Sequence, residues 1–289
     1  MARAEPTMIH NALTVDVEDY FQVSAFREQV SPEQWPQFES RVVANTHRVL
    51  NVFDDAGVTA TFFVLGWIAE QQPNLVREIA DRGHEIACHG YSHQLIYGQS
   101  QKVFSEETRR AKTLLEDQAQ VAVNGYRAAS FSITDASRWA LDVLADNGFE
   151  YDSSMYPVRH DLYGTDVAAA GPHRIVAPGG KSLIEFPMTT RSFMGLTVPV
   201  SGGGYFRLYP YRLSAHLLKK VNGDSEPFVF YMHPWEIDPG QPRIPTSLKS
   251  KLRHYTNLDV FEKKLRCLLR DFRFTSMAKV VADYPIATQ

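Results

Sequence analysis

Two short runs of this chain gather residue types that can hold a cation. His89-Gly90-Tyr91-Ser92-His93 sets two imidazoles four residues apart. Both can face one ion if the backbone turns helically after a strand. The preceding stretch 83–88, Gly-His-Glu-Ile-Ala-Cys, places His89 at a strand end. Ordinary surface or core histidines are the alternative reading. The second run, Asp16-Val17-Glu18-Asp19, puts three carboxylates within four residues. Carboxylates so close repel one another unless positive charge sits among them. Alternation along a strand gives Asp16 and Glu18 one face, and Asp19 reaches the same place once the chain turns. A solvated acidic loop is the plain alternative, but Val15 and Val17 on the opposite face favour a strand. Two histidines and one carboxylate leave a catalytic Zn²⁺ an open position for water. Asp16, Glu18 and Asp19 are all candidates for that carboxylate.

Other candidates follow short apolar runs. His233 ends the run 228–232 and precedes Pro234-Trp235-Glu236. A buried strand that delivers one imidazole to a loop suits a general acid or base, although a satisfied core histidine would look the same. Arg127 follows 122–126, where its guanidinium can orient a carboxylate bidentately or make a surface salt bridge. Asp152, in Tyr151-Asp152-Ser153-Ser154, can orient an imidazole, cap a turn or contact substrate. Tyr91, Tyr205, Phe206 and Trp235 can wall a sugar ring or simply pack.

These residues need a scaffold that gathers strand ends. Seven strand candidates, near 12–15, 58–65, 85–88, 122–126, 149–151, 183–186 and 228–232, alternate with helical patterns, and six carry a titratable group at or near the C-terminal end. Helices are expected over 41–54, 74–81, 105–116, 134–145 and about 258–272, with stop signals at Gly57, Gly83 and Gly148. Strands alternating with helices imply parallel β/α units, and functional groups at strand C-termini are what a β/α barrel provides. The stretch 159–180 and the segment Gly202-Gly203-Gly204-Tyr205-Phe206 read as loops.

Composition sets the outer limits. The 289 residues, 44% apolar, can bury a substantial core. A formal charge of −3 gives no electrostatic footprint for nucleic acid or a membrane surface. The local excess at 249–253 reads as a solvated basic face. Two cysteines, Cys88 and Cys267, without CxxC spacing fit a reducing compartment better than a disulfide framework. No secretory h-region is visible in 1–10 and no apolar run reaches membrane-span length. A soluble, cytoplasmic protein is therefore expected, one that could serve an export pathway from the inner side. Its oligomeric state is open.

Taken in order, the motifs resemble those of the polysaccharide deacetylases of carbohydrate esterase family 4, the NodB-homology fold. Thr14-Val15-Asp16 resembles the family's Thr-Phe-Asp-Asp, and His89 to His93 its His-Ser/Thr-x-x-His. Arg127-Ala128-Ala129 resembles Arg-x-Pro, and Tyr231-Met232-His233 resembles Leu-x-His. More closely, Val15-Asp16-Val17-Glu18-Asp19-Tyr20-Phe21 with His233-Pro234-Trp235-Glu236 is similar to deacetylases of exopolysaccharide clusters associated with exosortase. Those carry a C-terminal extension, here from about 171 onward in a single 1–289 unit. Two departures stand out. Asp-Val-Glu-Asp replaces the adjacent Asp-Asp, and Ala129 stands where proline is usual. A related subgroup with Asp-x-Asp spacing points to Glu18 as ligand, whereas Asp19 is the commoner residue type.

The resemblance implies a distorted β/α barrel with fewer than eight units. It implies N-deacetylation of an N-acetylated amino sugar in a glycan or a lipid-linked precursor. Zn²⁺ is the expected cofactor, and Co²⁺ or Ni²⁺ fits the same ligand set. Asp16 would act as base, Arg127 would hold Asp16, and a backbone N–H just after Arg127 would face the oxyanion. His233 would protonate the departing amine. The alternatives are an allantoinase-like hydrolase of a small cyclic amide and a carbohydrate-binding scaffold on an inactive fold.

Overall fold

The computed structural model describes residues 9–158, 164–165, 170–193 and 196–286. The strands are β1 (His10–Val17), β2 (Thr61–Val64), β3 (Glu85–Cys88), β4 (Gly125–Tyr126), β5 (Tyr151–Asp152), β6 (His173–Val176), β7 (Ser182–Glu185), β8 (Thr190–Phe193), β9 (Leu196–Pro199), β10 (Val229–Met232) and β11 (Arg273–Thr275). The helices are α1 (Val42–Ala56), α2 (Gly66–Gln71), α3 (Pro73–Asp81), α4 (Gln101–Ala119), α5 (Ala140–Asp146), α6 (Gly203–Leu208), α7 (Tyr211–Gly223), α8 (Leu248–Tyr255), α9 (Leu258–Asp271) and α10 (Met277–Asp283).

The main sheet runs β10-β1-β2-β3-β4-β5-β7-β6, with β11 beside β1. The pairings from β10 through β7 are all parallel, and these are the seven strands the apolar runs predict. The result is a mixed α/β fold of the distorted-barrel kind. Period-two alternation sorts the side chains. Ala12, Phe63, Ala87, Tyr151 and Val229 fill one cluster on the inner face. Leu13, Val15, Val17, Phe62, Val64 and Ile86 pack against the surrounding helices. A strand covered on both faces needs nearly continuous apolar character, and β1 is buried from Asn11 through Val17. Asp16 is therefore an exception within an apolar strand, delivered to the inner end of the barrel.

Several expectations change. The helix expected from Ser105 begins at Gln101, because Ser100 caps it by accepting from the Val103 N–H at 3.3 Å. The pattern over 134–145 splits into a 3-10 turn, Asp135–Ser137, and α5. Of the stretch 159–180 expected to be a loop, 173–176 forms β6, antiparallel to β7, and parts of the remainder lie outside the described residues, as does most of 1–10. The Gly202 to Phe206 segment is no free loop. Gly202 forms a parallel bridge with Tyr231, and a Cβ there would lie 2.1 Å from the Tyr231 carbonyl oxygen. With φ of 130° at Gly202 and 55° at Gly203, glycine lets the backbone lie against β10 before α6 begins. α2, α6, α7, α8, α10 and the antiparallel β8–β9 pair are further elements that the apolar patterns above do not mark. Cys88 and Cys267 are unbonded. Among the described residues no helix is long and apolar enough to cross a membrane.

Candidate active site

The C-terminal ends of β1, β3, β4 and β10 converge on a cavity of about 560 Å³ lined by Asp16, Glu18, His89, His93, Ser130 and His233, among others. Ligand atoms of Glu18, His89 and His93 all lie within 4.8 Å of one another. His89 Nδ1 sits 2.8 Å from the Arg127 carbonyl oxygen. An Nδ1–H donated there leaves Nε2 with its lone pair toward the cluster, the usual arrangement behind a metal-binding imidazole. Burial pushes His89 down to about 4, so the ring is neutral near pH 7.

Glu18 bridges two imidazoles, 3.0 Å from His93 Nε2 and 3.0 Å from His233 Nε2. Its burial alone would raise the carboxyl, but His93 and His233 outweigh that and hold it at about 2. Asp16 is paired with Arg127 at 2.6 Å. The guanidinium also donates to Thr14 Oγ1 at 2.8 Å and to Ser153 at 3.2 Å, and lies 4.0 Å over the Phe63 ring. Arg127 is thus fully buried and held on three sides, which fixes the Asp16 carboxylate. His93, Ser130 and Phe131 all adopt left-handed backbone, with φ of 51–55°. Strain of this kind persists where the surroundings impose it, often at functional sites.

His233 has an anchor that the sequence reading did not assign. Glu236 accepts from the His233 N–H at 3.0 Å and lies 3.3 Å from its Nδ1. The second Glu236 oxygen accepts from Arg207 Nε at 2.7 Å. Burial would lower His233, yet Glu18 and Glu236 raise it to about 10. The signal for Glu236 was present, since a carboxylate three residues after a helix cap is a capping-box spacing. No local pattern marked Arg207, which comes from α6.

Other predicted residues sit elsewhere. Asp19 turns away from the cluster. Its Oδ2 accepts from Ser40 Oγ at 2.8 Å, Arg41 N at 2.8 Å and Val42 N at 3.1 Å, and its Oδ1 from Tyr20 N at 3.0 Å. It caps α1, where the helix dipole favours a carboxylate. Asp152 is completely buried beneath the site and cannot touch substrate. It accepts from Ser154 Oγ at 2.5 Å, and that hydroxyl accepts from the Ala128 N–H at 2.8 Å. The N–H immediately after Arg127 is therefore already occupied. Tyr91 is held outside the main cavity by Glu70 at 2.6 Å and lies under Arg110. Trp235 lines the same cavity, largely buried, and stacks with His233 at 5.0 Å and with His254 at 4.1 Å. It steadies His233. Phe206 is in the core. Tyr205 does line the cavity.

Asp152 also contacts Glu185, and the two buried carboxyls share this support beneath the Arg127 loop. Burial raises Asp152 to about 6, and burial together with the Asp152 charge raises Glu185 well above its ordinary range. Folded values above unfolded ones mean that the bound protons stabilise the fold fully below the ordinary carboxyl range. That stability is lost as pH rises through about 6 and beyond. Glu185→Gln keeps a donor for Asp152 with no proton to lose. Denaturant unfolding at pH 5 and at pH 9 should show a smaller stability difference in the variant. An unchanged difference would remove the pair as its source.

Residues 34–151 match the family model described as polysaccharide deacetylase. Residues 153–282 match a model described as a domain of unknown function, DUF3473. A peptidoglycan deacetylase of Helicobacter pylori is 29% identical over 108 residues, which cover 37% of this chain and 36% of that protein. A chitooligosaccharide deacetylase of Bradyrhizobium is 29% identical over 132 residues, covering 46% of this chain and 57% of that protein. The chain thus spans between a third and somewhat over half of these relatives. A solved structure from Mycobacterium smegmatis, described as a candidate polysaccharide deacetylase, covers 100% of this chain and 97% of its own at a TM-score of 0.62 and 19% identity. That likeness is one of fold.

Proposed function

We propose, on the premise that the chain belongs to the polysaccharide deacetylase family, that it is a metal-dependent N-deacetylase of an N-acetylated amino sugar in a bacterial exopolysaccharide or its lipid-linked precursor. The observation that carries this reading is the convergence of Glu18, His89 and His93 beside the buried Asp16–Arg127 pair and His233.

The residues fit a divalent ion. Glu18 Oε2 is buried without a hydrogen bond while facing an imidazole nitrogen. The donor set is the two-histidine, one-carboxylate type that a catalytic zinc uses. We assign Glu18, His89 and His93 as ligands, with Zn²⁺ first and Co²⁺ or Ni²⁺ as substitutes. The ion, when bound, would acidify a water and polarise the amide carbonyl. Asp16, oriented by its 2.6 Å pairing with Arg127, takes the proton from the attacking water. With the Ala128 N–H occupied, we assign the oxyanion to the next stretch of this loop, where Ser130 lines the cavity. His233, as an imidazolium, gives its proton to the departing amine. Glu236 and Arg207 hold that ring in place, and acetate and a free amino sugar leave. Tyr205 offers an apolar surface to the sugar.

Acetate release measured on N-acetylated oligosaccharides and on small cyclic amides tests this reading. Zinc-dependent acetate release from the oligosaccharides is expected. Ring opening of a cyclic amide, or no turnover after zinc or cobalt is added, would overturn it.

A further inference from the structure

The mouth of the cavity is edged by a helix with an unusual surface. In α8, Leu248 is 73% exposed and Leu252 59% exposed, and Leu208 at the end of α6 is 53% exposed. Leu208 and Leu252 both line the cavity that holds Glu18 and the histidines. Leu248 stands one helical turn from Leu252, so the two share a face. At about 100° per residue, Lys249 and Arg253 fall on one side of this leucine pair and Lys251 on the other. Lys249, Lys251, Arg253 and the nearby Arg243 are exposed. Between 239 and 258 the sequence has no Asp or Glu.

We propose that this face docks on an anionic lipid bilayer, with Leu248, Leu252 and Leu208 entering the headgroup boundary and the flanking cations meeting lipid phosphates. A solvated basic face, the reading that the charge run alone suggests, does not explain leucines this exposed at its centre. Apolar residues flanked by Lys and Arg are how a helix lies in a membrane interface. The arrangement also sets the cavity mouth against the lipid surface, where a lipid-anchored glycan would enter. Only that last step rests on the deacetylase reading. Docking itself does not.

Co-sedimentation of the whole chain with vesicles tests the proposal. Phosphatidylcholine vesicles containing phosphatidylglycerol should bind it, phosphatidylcholine alone should bind it poorly, and added salt should weaken the binding. Lys249→Glu with Lys251→Glu should cut vesicle binding roughly tenfold or more. Leu248→Ser alone should also weaken it. None of these three residues lines the cavity, so acetate release from a soluble oligosaccharide should be unchanged. No binding to anionic vesicles at low salt would overturn the proposal. Insensitivity to Leu248→Ser, or equal binding to a soluble polyanion such as duplex DNA, would also overturn it by leaving charge alone as the cause. Because sedimentation needs no turnover, an inactive protein that docks and an active protein that does not are separate results.

Discussion

Asp16→Asn should reduce acetate release by roughly 10²–10⁴ while the protein keeps a stoichiometric divalent ion. The substitution is nearly isosteric, and the amide oxygen can still accept from Arg127, which also keeps Thr14 and Ser153 as partners. What is lost is the basicity at that position. Removing one charge of a buried pair leaves the other partly uncompensated, so some stability is lost as well. A melting curve taken beside the kinetics separates the two effects. If the variant is folded and metal-loaded but slow, the base assignment stands. If it is folded and metal-free, Asp16 is a ligand and the carboxylate roles must be exchanged.

The elements that deliver these groups were legible because each is a local pattern. The run Leu13-Thr14-Val15-Asp16-Val17 alternates as a strand must, so the face on which Asp16 lies could be read directly. His89 follows a short apolar run, and strand C-termini in a parallel sheet point to one end of the barrel. Long-range packing was not legible. Asp19 and Glu18 are neighbours, and what separates them is a helix that starts more than twenty residues later and offers its N–H groups to Asp19 alone. Asp152 looked available because Ser153 and Ser154 follow it, yet those hydroxyls turn inward to support the Arg127 loop. Nothing local to Trp235 shows that its ring stacks with His254, nineteen residues later. The helical period of α7 is present after Pro210, with Ala215, Leu218 and Val221 buried. α8 shows the same limit: a charge run in sequence does not reveal that the leucines among the lysines stay exposed.

The neighbouring carboxylates give the second large effect. Glu18→Gln should abolish stoichiometric metal binding, because it removes the one carboxylate from a set whose other members are the imidazoles of His89 and His93. The loss should exceed the roughly 10–100-fold that an outer-shell partner is worth. Asp19→Ala should do the opposite, keeping the metal and losing stability. It strips an acceptor from three donors at the start of α1, those of Ser40, Arg41 and Val42. A lost cap and buried N–H groups left without a partner together cost about 1–2 kcal/mol. Metal content by elemental analysis, with chemical unfolding of both metal-free variants, gives a crossed result if the geometry is right. Glu18→Gln would be metal-free, and Asp19→Ala metal-loaded but easier to unfold. Metal lost from Asp19→Ala while Glu18→Gln retains it would show that the chain turns differently after β1 when the ion is present, with the cap on α1 given up to supply the ligand.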